Sequence, residues 1–195
     1  MTPEVLEPKR LPEGLAVFRR SLGYVGAVEL VITVVCFTAA VVINSIQIFL
    51  RYAFETSIWW AQEISLLWMM IAYFIGISCV FRLRQYIVID FFVDRFSPHN
   101  QLILYFLAQV LTVVFCVVVL IQGFNNWSNL WTTYTVILHL PELFWALPFF
   151  IASASMIVTS VYYTLAVWDA HKRRPGTVLI ELEKEVHVHP ELARR

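Results

Sequence analysis

Residues 102–124 read LILYFLAQVLTVVFCVVVLIQGF. The stretch carries no charge, and its polar side chains are few: Tyr105, Gln109, Thr112 and Gln122. About 20 apolar residues in a helix cross the ~30 Å hydrocarbon core of a bilayer. A helix also satisfies its own backbone there, where no water does so. The stretch is therefore predicted to be a transmembrane helix. Three further runs are predicted likewise, at 22–46, 64–81 and 143–168. The run at 64–81 is the shortest, about 27 Å as helix. Trp59, Trp60 and Glu63 before it and Arg82 after it suit the two interfaces.

The whole chain agrees with this reading. Its 195 residues are 59% apolar and 14% charged, with a mean hydropathy of +0.71. Soluble domains carry about 25% charged residues, so a freely soluble enzyme is excluded. A net charge of zero gives no nucleic-acid footprint. The fold class that follows is an all-α membrane protein of four transmembrane helices.

Charge sets the orientation. Lys9, Arg10, Arg19 and Arg20 precede the first run, and Arg82, Arg84 and Arg95 lie between the second and third. Lys172, Arg173, Arg174, Lys184, Arg194 and Arg195 follow the fourth. Arg51 alone falls on the opposite side, and the loop between runs three and four has no Lys or Arg. By the positive-inside rule both termini are cytoplasmic. The layout is then a cytoplasmic segment 1–21, a membrane domain 22–168 and a cytoplasmic tail 169–195. Residues 1–21 are polar and Pro-rich, unlike a signal peptide.

Two connecting segments look amphipathic. In 44–62, Asn44, Gln47, Arg51, Glu55 and Gln62 make a polar stripe beside Phe49, Phe54, Trp59 and Trp60. This is the pattern of an interfacial helix. Its polar face is either bathed by headgroups or docks another protein. In 83–96, Ile87, Phe91 and Phe92 oppose Asp90, Asp94 and Arg95 in the same manner on the other side. Ser97-Pro98 opens the third span as N-cap and first helical residue.

Chemistry-bearing constellations are sparse. None of the five histidines lies in a span, which disfavours haem held across the bundle. The pair His187 and His189 lacks further metal ligands nearby. Cys36, Cys79 and Cys116 form no CxxC. No phosphate-binding glycine loop and no nucleophile with a base in reach is visible. No catalytic residue, cofactor or metal is expected. Glu29 is the one acid inside a span, about 10 Å along its helix. A lone intramembrane charge costs about 3 kcal/mol at the bilayer centre. Glu29 is therefore either hydrogen-bonded against a neighbouring span or a functional carboxylate. Tyr105, Gln109, Thr112 and Cys116 form a polar stripe suited to helix–helix hydrogen bonds. The pairs Ala72/Gly76 and Ser155/Thr159 suit close helix contact.

Arg51-Tyr52-Ala53-Phe54, Gln62-Glu63, Gly76 and the stretch from Arg82 to Asp90 occur in a telling order. This order resembles the small membrane subunit of the tripartite ATP-independent periplasmic (TRAP) transporters. That family shows Arg-Tyr-x-Phe after its first span, an acidic pair opening the second and a glycine late in it. A segment Arg-x-Gly-x-His-Ile-x-Val-Asp follows. Arg51, Glu63, Gly76, Arg82, Ile87 and Asp90 match, and Ile89 replaces Val. Gln62 stands for the first acid, Arg84 for the Gly and Tyr86 for the His.

The resemblance implies an accessory role. Such subunits join a large membrane subunit that carries substrate and sodium. A periplasmic binding protein delivers an organic acid to the pair. The small subunit braces the static part while the large one moves. On this reading Arg51 and Glu63 organise the outer end, and Asp90 pairs with Arg82 or Arg84. The rival from a different class is a self-sufficient proton-coupled transporter using Glu29. A redox subunit is the third.

Overall fold

The computed structural model describes residues 13–83 and 97–173. Five helices account for nearly all of them: α1 (Glu13–Phe54), α2 (Ala61–Leu83), α3 (Pro98–Asn125), α4 (Trp127–Thr132) and α5 (Leu143–Arg173). Four of these, all but the six-residue α4, are long and apolar enough to cross a membrane. Each contains one of the four predicted runs. Among the described residues there is no strand, only an isolated bridge between Tyr134 and Pro141.

The first span is longer than its apolar run suggests. α1 has 42 residues, about 63 Å at 1.5 Å per residue. Residues 44–54, expected to begin a separate amphipathic helix, continue α1 without a break. Asn44 reaches back to the Ala40 carbonyl at 3.0 Å, so its amide stays within the helical ladder. The helix stops after Phe54, where Glu55 turns left-handed at φ 50°. The Thr56 N–H then returns to the Leu50 carbonyl at 3.4 Å. The second amphipathic segment lies outside the described residues.

The helices pack chiefly in the order α1, α2, α5, α3, and α1 also meets α5. α1 packs along α2, α2 along α5, and α5 along α3. Small residues set the seams. At Gly76 a Cβ would come within 3.1 Å of the Thr33 methyl, so α2 lies close on α1. At Gly123 any Cβ would overlap the Phe150 ring, so α5 lies close on α3. Phe74 of α2 and Phe149 of α5 join the middle pair, with ring centroids 4.8 Å apart.

One end of the bundle is closed by a buried cluster that includes Leu22, Leu102, Tyr105, Tyr162, Tyr163 and Val167. Arg19 and Lys172 flank this basic end, with Lys172 stacked 5.3 Å over the Trp168 ring. At the opposite end Phe49, Tyr52, Phe54, Trp59, Trp127, Trp131 and Tyr134 are all exposed. Aromatic side chains in such a belt favour the headgroup level.

Candidate functional site

The acid inside the first span meets the arginine that closes the second. Glu29 lies on α1 and Arg82 on the last turn of α2. The antiparallel hairpin brings them to one level, with Arg82 Nη2 donating to Glu29 Oε1 at 3.0 Å. Arg82 is only 1% exposed and Glu29 8%. Gly26 makes the approach feasible, because a Cβ there would come within 3.1 Å of Arg82 Cδ.

Other side chains complete the centre. Ser78 of α2 donates to Glu29 Oε1 at 3.2 Å, and Ser155 of α5 at 2.7 Å. Arg82 Nη2 also bonds Ser155 Oγ, and Nη1 points to the Leu22 carbonyl at 3.4 Å. The Tyr163 hydroxyl of α5 donates to the Arg82 backbone carbonyl at 2.7 Å. The Cys79 thiol sits 3.7 Å from the Gly26 carbonyl. Three helices thus converge on one ion pair. Glu29 Oε2 and Arg82 Nε have no partner among the described residues. A charge buried without its partner is far costlier than the pair, so these contacts specify how α1, α2 and α5 dock.

A second polar anchor sits at the aromatic end. Glu63, in the first turn of α2, accepts the backbone N–H of Ile137 at 3.0 Å and of Leu138 at 2.9 Å. It thereby ties α2 to the 133–142 connection. That connection is a tight hairpin. Thr135 N–H donates to the Leu140 carbonyl at 2.9 Å, and Glu142 N–H to that of Thr133 at 2.9 Å. His139 turns the corner at φ 51°.

A third contact joins α3 to α5, where Ser160 donates to Gln109 Oε1 at 2.6 Å. Ser65 of α2 donates to Asn44 Oδ1 of α1 at 3.1 Å. The polar stripe of the third span therefore serves helix contact at Gln109, while Thr112 bonds its own helix at Ala108.

Among the residues singled out by sequence, Glu29 and Arg82 are brought together, and Gly76 lies on the same α1–α2 seam. Glu63 is at the far end of α2. Arg51 is exposed on the last turn of α1 and makes no ion pair or hydrogen bond among the described residues. Arg82 is committed to Glu29, whereas its expected partner Asp90, like Arg84, lies outside the described residues. Sequence reasoning missed the pairing itself and the roles of Ser78 and Tyr163. The available signal was one acid and one base at matching depth in consecutive antiparallel spans.

The buried charges of this small bundle tie its own helices together. Residues 39–170 match the family described as tripartite ATP-independent periplasmic transporters, DctQ component. The chain belongs to that family. It is thus a small permease component of a TRAP transporter and a multi-pass membrane protein. Among curated proteins, none matches it. The DctQ match takes in Arg82, Ser155 and Glu63, but not Glu29, which precedes residue 39. DctQ components work with a large membrane subunit and a periplasmic binding protein.

Proposed function

We propose that this chain is the non-catalytic brace of a sodium-coupled TRAP transporter for an organic acid. It holds the fixed scaffold of the large membrane subunit while that subunit moves its cargo. The observation that carries this reading is the Glu29–Arg82 pair. The buried pair Glu29 and Arg82 docks α1, α2 and α5, which suits a part built to hold its shape.

The basic end faces the cytoplasm and the aromatic end the periplasm, in a bacterial inner membrane. The distribution of Lys and Arg supports this orientation. At the periplasmic end Arg51 stands free on α1 for the large subunit or the docked binding protein.

The test is co-expression of the tagged chain with its large subunit and binding protein, followed by purification in mild detergent. The brace reading expects a stable membrane pair, and uptake in liposomes only when all three parts are present. Transport by this chain alone overturns it. In the rival reading Glu29 carries protons unaided. Its engagement with Arg82, Ser78 and Ser155 weighs against that role. Proton flux through liposomes holding the chain alone, lost in Glu29→Gln, would establish the rival.

A further inference from the structure

The aromatic end holds a cavity of about 450 Å³ that the scaffold role leaves unused. It lies between α2 and α5 beneath α4 and the 133–142 hairpin. Met70, Phe74, Ala146 and Phe149 form its apolar walls, and Thr135, Glu142 and Trp145 line it as well. Its volume falls in the range of pockets that hold a ligand, about 300–1,000 Å³.

Two polar groups here lack partners. The Trp145 indole Nε1 is buried with no hydrogen-bond partner among the described residues. An unmet buried donor is uncommon in folded proteins. The Glu142 carboxylate is exposed and makes no ion pair or hydrogen bond among the described residues. Arg51 is on α1, and no α1 residue lines the cavity. The other acid nearby, Glu63, is already engaged by two backbone N–H groups.

The lining has a gradient. Glu142 is exposed, and Thr135 is half-buried beside the exposed Tyr134. Met70 and Phe74 lie about 13 and about 20 Å along α2 from its start at Ala61. A slot polar at headgroup level and apolar down to mid-membrane matches a phospholipid. An unpaired carboxylate selects a headgroup ending in a cation, and the indole N–H selects an acceptor such as a phosphate or ester oxygen.

We infer that this cavity binds one zwitterionic phospholipid with a primary ammonium headgroup. The ammonium meets Glu142, a headgroup or ester oxygen accepts from Trp145 Nε1, and an acyl chain lies against Phe74 and Phe149. The site is independent of what the transporter carries, so it stands or falls apart from the brace reading.

The test uses the full-length chain, with any membrane subunit that co-purifies. It is equilibrated in mild detergent with equal amounts of phosphatidylethanolamine and phosphatidylglycerol of identical acyl chains. Retained lipid is counted by native mass spectrometry. One phosphatidylethanolamine is expected per chain, retained about tenfold over phosphatidylglycerol. Glu142→Gln should abolish that discrimination, and Trp145→Phe should lower retention of both lipids. Ala146→Trp, which fills the slot, should remove the retained lipid while elution volume and helicity stay unchanged. Equal retention of the two lipids by the parent chain overturns the proposal. So does discrimination that survives Glu142→Gln, or photocross-links from position 146 that reach only protein.

Discussion

Arg82 of α2 and Glu29 of α1 are joined at 3.0 Å in a centre where the arginine is 1% exposed. Fifty-odd residues of chain separate them, and the hairpin between α1 and α2 erases that separation. The pair is neutral as a unit, so the spans bury it at a far lower cost than either charge alone.

Removing one partner is therefore expected to hurt more than removing both. Arg82→Met should lower unfolding free energy by about 3 kcal/mol or more, because Glu29 is left buried and unpaired. Adding Glu29→Met should restore most of that loss. Unfolding in mixed micelles, run as a double-mutant cycle, measures the coupling; an interaction energy below about 0.5 kcal/mol would mean the residues act independently.

Ser155 bridges α5 to the pair through Glu29 and Arg82. Ser155→Ala should cost about 0.5–1.5 kcal/mol, the scale of one interhelical hydrogen bond in a membrane. Ser155→Leu should cost more, since α5 must move away from α1 and α2. The same unfolding titration ranks the two variants, and equal stability of both would contradict the close seam.

At the other end, Glu63 holds the N–H groups of Ile137 and Leu138. Glu63→Ala should release them, at a cost of about 1–3 kcal/mol for unmet backbone donors. Hydrogen exchange in detergent should rise across 135–142 and leave α3 untouched. Glu63→Gln, with one acceptor oxygen left, should fall between the two.

Gly123 faces the Phe150 ring with no room for a side chain. Gly123→Val should destabilise by about 1–3 kcal/mol through overpacking. Pairing it with Phe150→Ala should recover part of the loss. A thermal shift of the variants in detergent reads the effect; an unaltered midpoint for Gly123→Val would show that α3 and α5 are less closely apposed.

Arg51 is exposed and unengaged on the last turn of α1. Arg51→Ala should leave the unfolding free energy of the isolated chain within ~0.5 kcal/mol of the parent, as surface changes do. Under the brace reading it should reduce co-purification or uptake. Intact assembly and uptake would remove Arg51 from the interface.

The four spans were legible because the bilayer imposes a length and a hydropathy that sequence displays directly. The partner of Arg82 was not. An arginine closing an apolar run reads as an interfacial flank, and only packing reveals that Gly26 opens a path for it toward Glu29. Glu63 shows a different limit. Its ligands are backbone N–H groups, which no residue pattern announces. The end of α1 was hidden for a third reason. The polar stripe after Asn44 keeps a helical period, and a stripe cannot say whether the helix restarts or runs on.

The membrane-spanning helix α1 covers 38 residues from Val17 to Phe54, while its hairpin partner α2 covers 23. At 1.5 Å per residue these are about 57 Å and about 34 Å. The apolar run 22–46 of α1 accounts for about 37 Å, enough to cross a bilayer core of ~30 Å. The excess is polar: Arg19 and Arg20 precede the run, and Gln47 and Arg51 follow it. Ser65 of α2 is level with Asn44 of α1, so about 15 Å of α1 runs on past that level to Phe54. The hairpin is lopsided there, and its longer arm is a post that a neighbour can grip above the lipid tails.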